Sequence, residues 1–580
     1  MIFNKQTKGK LLIFGGLIIG LIGFTALYPI QPKEKYIHMA KATNNSFDEA
    51  SSIASQFGPA VTQGRVLTTA DMTTENPLIP SDIYRPSSTI GPNHQDLATF
   101  AWLEFISLSS PKSSGAARGE TGGSFAASGK DPNTTLVWES YQHRSELFPY
   151  IPGNTSGRAP APWDQAPSYK MSYKDTNGKE QLVDIPYSNF NNLDETTQIG
   201  MNILYFPVDP NKMDPDKDFQ VLFEAKVNQQ EWNFVNKNYT KFSDFNTNFP
   251  NGINFDSGTI EVKATWRPVA SIPENDRYRY HTSTAIYYTG EDDNPKAALG
   301  EYALIGLHII HKTPNFPTFI FATFEHMDNL IKDGTATGLY YVPTYDKISY
   351  SLPTTTTTSN PTETVTNPTY PSGWLNEPYA APSSGNKIPL PKGSVLNIKG
   401  SRVLSTSIGN VYGVPVTQPA TTNIAVSNVN AQALKAMQGI PGFDKNFVWQ
   451  YYFLKGVQGV PTDTEQSEDY YLANIVTESS VPGIQLFTGG QGITNKELQI
   501  PRNQANVRDA KQGNKVVNQG GCLGCHGIAQ TGSGFDFSFL YFSKTSGFSP
   551  DVTGLTTSEE EKERVERYMK MLNPNKKNSK

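Results

Sequence analysis

Between about residues 195 and 350 the chain is written in short apolar runs: MNILYFPV, DFQVLFEAKV, GTIEVKATWRPV, YRYHTSTAIYY, EYALIGLHIIH and TFIFATFEH. They are rich in Val, Ile, Tyr, Phe and Thr, with Gly, Pro, Asn and Asp between them, which is the pattern of strands joined by turns. In GTIEVKATW, Ile260, Val262, Ala264 and Trp266 alternate with Glu261, Lys263 and Thr265. That period of two predicts a strand with one face buried and the other in water. Strands that follow one another in this way predict a mainly β fold, a large antiparallel sheet or sandwich rather than βαβ units.

Other periodicities flank this region. ATFAWLEFISLSS, 98–110, reads as one apolar helix with Trp102 and Phe105 on neighbouring turns. The Gly/Ser-rich stretch 109–133 reads as a disordered surface loop. SYSLPTTTTTSNPTETVTNPTYPSG, 349–373, reads as an exposed insertion or linker. Strand-like sequence returns around 393–416; NFVWQYYFLKGVQ, 446–458, predicts a strand or strand pair, and DYYLANIVTES, 469–479, a short buried segment. Near the end, TTSEEEKERVERYMKML, 556–572, predicts a helix. Thr557 with Glu560, or Ser558 with Glu561, supplies a capping box; Val565, Tyr568, Met569 and Leu572 form one apolar stripe, and Asn573-Pro574 ends it.

The amino terminus has a different pattern. Lys5, Lys8 and Lys10 precede twenty uncharged positions, 11–30. As a helix these span about 30 Å, the thickness of a bilayer core. Lysines before the span and a large domain after it place the bulk of the chain outside the cytoplasm, held to a lipid bilayer by the helix. A cleaved signal peptide is the alternative, although its core is usually shorter and ends in small residues, where this one ends in FTALYPI; a buried core helix is the third. The expected organisation is a cytoplasmic basic tail (1–10), a transmembrane anchor (11–30), a stalk (31–90), a β-rich domain (91–348), a Thr/Pro-rich linker (349–392), a further β-rich segment (393–490) and a terminal segment with a helix (491–580).

Composition sharpens this picture. With 580 residues, 37% hydrophobic and 11% aromatic, the chain can bury a sizeable core. Lys+Arg number 49 against 54 Asp+Glu, a net charge of −5, so no basic excess exists to hold a nucleic acid. Only two cysteines are present, Cys522 and Cys525, which excludes a disulfide framework.

Those two cysteines lie in QGGCLGCHGIAQ, beside His526. Two thiols at this spacing can add across the vinyl groups of a haem while the adjacent imidazole becomes an axial iron ligand. Gly520, Gly521, Gly524 and Gly527 let the backbone run close to a macrocycle. A thioredoxin-type pair would sit in a βαβ context, a four-ligand zinc site would need another Cys pair, and a bridge across two residues would leave His526 unexplained. One motif predicts one covalent haem c held by Cys522, Cys525 and His526. For the sixth position Met569 is the first candidate; Met571, a β-domain residue, or no ligand are the others.

The remaining histidines are His38, His94, His143, His281, His308, His311 and His326. His308 and His311 fall in a strand, where i and i+3 face opposite ways, so they are a poor metal pair. His326, beside Glu325 and Asp328, is a candidate for a pocket or a domain contact. FDFSFLYF, 535–542, alternates aromatic and polar residues and reads either as a haem wall or as a core strand.

Several stretches resemble a group of exported bacterial proteins called the cytochrome c family proteins: AWLEFISLSSP (101–111), LVWESYQHRSELFP (136–149), FEAKVNQQEWNFV (223–235), SGTIEVKATWRPV (257–269), LIGLHIIHKTPNFPTFIFATFEHMDN (304–329), VWQYYFLKGVQGVPTD (448–463), LANIVTES (472–479), GCLGCHGIAQ (521–530) and DFSFL (536–540). The resemblance implies haem binding and electron transfer, and carries over only Cys522, Cys525 and His526 as functional residues. It also implies that the β domain and the haem segment form one unit. The resulting expectation is a monohaem c-type cytochrome of the bacterial inner membrane, its bulk periplasmic, exchanging electrons with a redox partner protein there. A haem enzyme, peroxidase-like or a dehydrogenase with its pocket in the β domain, is the alternative. A non-catalytic envelope binding module with a structural or sensory haem is the second.

Overall fold

In the computed structural model the described residues are 56–84, 94–113, 118–147, 160–163, 168–174, 180–186, 191–195, 202–209, 212–238, 253–291, 294–329, 339–343, 347–351, 363–365, 387–391, 396–397, 400–402, 404–411, 414–419, 424–459, 474, 476–477, 499–501, 516–518, 522–523, 526 and 536–541. The span at 11–30, most of the Thr-rich stretch, Cys525 and the helix at 556–572 with Met569 and Met571 lie outside them. Among the described residues no helix is long and apolar enough to cross a membrane.

The described chain is sheet-rich with few helices. Its centre is an eight-stranded sheet built from β1 (Gln142–His143), β2 (Asn191–Leu193), β3 (Leu222–Val227), β4 (Ile260–Pro268), β5 (Thr282–Glu291), β6 (Asn294–Thr313), β7 (Phe316–His326) and β8 (Tyr452–Gln458). The main order is β8-β7-β6-β4-β3-β1. The long β6 pairs with β5 along its first half and runs between β4 and β7 along its second. The sheet is mixed rather than purely antiparallel, because β2 joins β5 in parallel. β8 pairs with β7, so a strand beyond residue 450 completes the sheet begun before residue 150.

Helices α1 (His94–Leu108) and α3 (Ile424–Gln438) cover one face, while α2 (Gln229–Asn238) follows β3. Ile260, Val262, Ala264 and Trp266 of β4 share one apolar cluster with Trp102 and Phe105 of α1 and Val426 and Val429 of α3. The Phe105 ring stacks on Phe324 at 4.2 Å. Burying each such side chain contributes about 1.5–3 kcal/mol. Asn430 ties the layers together: its Oδ1 accepts from Trp102 Nε1 (2.8 Å) and Leu454 N (3.0 Å), and its Nδ2 donates to Leu454 O (2.9 Å). The helix expected at 98–110 is α1, buried almost throughout, as suits a helix apolar on all sides. Neither α2 nor α3 stands out in the sequence: α2 lies within a stretch that reads as β, and α3 has a weak stripe interrupted by Asn and Ser.

Two further expectations need correction. The second face of β4 is not wet: Glu261, Thr265 and Arg267 are buried under a further layer. Alternation shows that two faces differ, but a polar face can be covered when its charges find partners. Lys263 pairs with Glu195 at 3.1 Å, and the Arg267 guanidinium lies 3.6 Å from the centre of the Phe206 ring. Within the Gly/Ser-rich stretch, part of the described chain is packed. A short helix, Phe125–Lys130, buries Phe125 and Ser128, and Arg118 forms a buried two-pronged pair with Glu146. Small residues are needed there: a Cβ on Gly129 would meet the Phe447 ring at 2.3 Å, and one on Gly122 would meet Ser113 Cα at 2.3 Å.

Of the later segments, 446–458 divides into a 3-10 turn, Val448–Tyr451, and strand β8. Asn474, Val476 and Thr477 are buried, and Asn474 Nδ2 donates to Phe324 O at 3.1 Å, in keeping with the short buried segment expected there.

Candidate functional site

Cys522, Leu523 and His526 of the CxxCH motif rest on the face of the sheet opposite α1 and α3. Leu523 is fully buried in a cluster with Leu147, Ile310, Phe319, Phe321, Phe537 and Tyr541, and the half-buried Cys522 packs against the same cluster. Leu523 N donates to Gln458 Oε1 at 3.0 Å, so the edge strand β8 holds the motif's backbone. His526 lies between two aromatic rings, Phe321 of β7 at 4.9 Å and Phe539 at 4.6 Å.

His526 Nδ1 is 2.7 Å from the carbonyl oxygen of Phe537. A carbonyl only accepts, so the proton of the neutral ring sits on Nδ1 and Nε2 keeps its lone pair. Burial pushes the pKa of this imidazole down to about 3; the Phe537 carbonyl opposes that shift, and the nearby His308 and Lys263 add to it. The ring is therefore neutral at ordinary pH, oriented through one nitrogen and available as a ligand through the other, the arrangement in which a protein presents a histidine to a metal.

The Phe537 carbonyl is itself fixed. FDFSFLYF is not a strand: residues 536–541 form turns, with Asp536 (φ 48°) and Phe537 (φ 68°) both in the left-handed region. Non-glycine residues seldom adopt this conformation and hold it only where their surroundings over-determine it. Here Asp536 is buried and accepts from Phe255 N (2.7 Å) and from Lys312 Nζ of β6. Burial raises the Asp536 pKa, and Lys312 opposes it. Tyr541 OH donates to Glu231 of α2, and Ser538 hydrogen-bonds Glu261 of β4. Strands β4, β6, β7 and β8 and helix α2 thus all contribute to one cradle. The core-strand reading of FDFSFLYF is overturned for the described residues, which form turns and set Phe539 beside His526.

The other histidines lie elsewhere. His308 and His311 do face opposite sides: His311 packs on α1 beside Glu104 and Phe100, while His308 lies on the side of His526. His326 is a core histidine with both ring nitrogens engaged, Nε2 donating to Arg279 O (3.0 Å) and Nδ1 accepting from Asp328 N (3.1 Å). It stacks on Tyr280 at 3.8 Å, and burial pushes its pKa well down. It stands five residues from Phe321 along β7, about 17 Å at ~3.4 Å per residue. His143 and His281 are buried beside Asp194 and Glu139.

Sequence reasoning missed Gln458, Lys312, Asp536, Glu231 and Glu261 as parts of this site. The available signal was the polar alternation in FDFSFLYF, which reads as a wall or a core strand, and in GTIEVKATW, which reads as a wet face. Among the described residues no three His, Cys, Asp or Glu side chains converge as a metal-ion site. The residues present would fit a covalent haem: one thiol on an apolar wall, aromatic rings beside His526, and an imidazole whose Nδ1 is already committed. No protein-family model, no curated protein and no solved structure matches the chain.

Proposed function

We propose that the chain is a membrane-anchored, monohaem c-type cytochrome that transfers electrons in the bacterial periplasm. The observation that carries this reading is the His526 Nδ1 to Phe537 carbonyl hydrogen bond, which leaves Nε2 of a CxxCH histidine for iron. Bound haem c would supply a one-electron Fe(III)/Fe(II) couple. Cys522 and Cys525 would hold it as thioethers, with Met569 our candidate for the sixth position. The protein's part is to orient the proximal ring, to keep it neutral, and to exclude water with Phe321, Phe539 and the Leu523 cluster. A large sheet beneath the motif gives a rigid support that 90 terminal residues alone would lack. The anchor at 11–30 would keep the site near redox partners of the inner membrane.

The test is production of the full chain with a haem c maturation system, followed by a pyridine haemochrome assay and haem staining under denaturing conditions. Haem that survives denaturation in the wild type and is absent from Cys522→Ala/Cys525→Ala supports the reading; a wild-type chain without covalent haem overturns it.

A further inference from the structure

Beneath the turn that orients His526 lie two buried carboxyl groups, Glu231 of α2 and Glu261 of β4. They come from different elements and hydrogen-bond each other. Ionised carboxylates only accept, so two of them in contact need a proton between them. The rest of the hydrogen bonding points the same way. Glu231 Oε1 takes the Tyr541 hydroxyl, and Ser538 bonds Glu261. One oxygen on each group, Glu231 Oε2 and Glu261 Oε1, then has no donor among the described residues. A single proton held between the carboxyls satisfies both oxygens at once.

The charged surroundings do not neutralise the pair. From β4, Lys263 faces Glu261 but is paired with Glu195; from the turn, Asp536 adds negative charge and is paired with Lys312 of β6; Tyr541 faces Glu231. Burial raises the pKa of both groups, Glu231 well above the usual range and Glu261 up to about 7. Both are hydrogen-bonded to the turn whose Phe537 carbonyl holds His526 Nδ1, through Ser538 and Tyr541.

We infer that Glu231 and Glu261 form a redox-linked proton site, taking up a proton when the haem iron is reduced and releasing it when the iron is oxidised. The inference rests on the haem reading above. The balance is simple: an electron from a one-electron donor protein converts Fe(III) to Fe(II), and a proton from solvent converts the carboxyl–carboxylate pair to two carboxyl groups. Reduction removes one positive charge near a low-dielectric pair, which favours the protonated form. Oxidation reverses both transfers.

The experiment is a redox titration of the haem-loaded full chain across neutral pH, on wild type, Glu261→Gln and Glu231→Gln, with reduced-minus-oxidised infrared spectra of the wild type. The expected result is a midpoint potential that falls as pH rises in the wild type and stays flat in both variants, with a protonated-carboxyl band appearing on reduction. A wild-type potential independent of pH, an unchanged slope in both variants, or no carboxyl band overturns the site while leaving the haem reading intact. The infrared measurement needs no substitution, so a variant that fails to fold does not block the test. Absence of covalent haem in the same preparation overturns the haem reading and the coupling together.

Discussion

Lys312 of β6 and Asp536 of the terminal turn form a buried ion pair across 224 positions of sequence, and both side chains are almost completely shielded from water. This pair binds the segment that aims Phe537 at His526 to the sheet.

Removing one partner leaves the other charge buried alone, which costs about 3–5 kcal/mol. Lys312→Met is expected to destabilise the chain by that order, and Asp536→Asn by less, since an amide keeps a hydrogen-bonding oxygen. Urea unfolding of each variant measures the difference. Restored stability in Lys312→Met/Asp536→Leu would show that the cost was the orphaned charge.

His526→Ala removes the ring but neither thiol. In the haem-loaded chain it is expected to keep covalent haem and to lose the wild-type axial signature in absorption and electron paramagnetic resonance spectra. Added imidazole should restore that signature in part. An unchanged spectrum would mean that another residue occupies the proximal position.

Stability should depend on pH in two opposite directions. The Glu231–Glu261 pair holds protons more tightly when folded than unfolded, with Glu261 near 7 in the folded state against about 4.5 unfolded. Its contribution is therefore complete below about pH 4.5 and is lost as pH rises through 7. His326 acts the other way, because its folded pKa lies well below 6.5: an unfolded chain takes up a proton that the folded ring refuses, so stability falls as pH drops below 6.5. Thermal melts of the wild type and Glu261→Gln over this range should show the alkaline loss flattened in the variant.

Gly129 packs against the Phe447 ring so closely that a Cβ would overlap it at 2.3 Å. Gly129→Ala is expected to cost about 1–3 kcal/mol through forced repacking, and Gly129→Ala/Phe447→Leu to recover part of it. Chemical denaturation of the two variants tests this.

Much of the central sheet was legible because its strands carry strict alternation or long apolar runs, and α1 because it is apolar all round. The buried polar face of β4 was not legible. Glu261 looks like a solvent-facing residue, and only partners distant in sequence, Glu231 and Ser538, make its burial possible, while Lys263 stays half-buried beside Glu195. The same holds at the site. Cys522, Cys525 and His526 announce themselves by spacing, whereas Gln458, Lys312 and Asp536 matter through contacts that no local pattern encodes. The Gly/Ser-rich stretch was misread for a related reason: small residues signal looseness when alone and close packing when a large ring such as Phe447 lies opposite.

The strand β8 closes the edge of a sheet whose other members all precede residue 330, and its Gln458 then supports the motif's backbone. A chain synthesised amino end first would therefore display an open β7 edge until more than a hundred further residues had emerged. Pairing across such a separation is slow, and an unpaired edge invites association with other chains. Cys522 and His526 lie carboxyl-terminal to β8, so they emerge only after the strand whose Gln458 supports the Leu523 backbone. Edge closure by β8 thus makes the carboxyl-terminal quarter the part that commits the whole sheet.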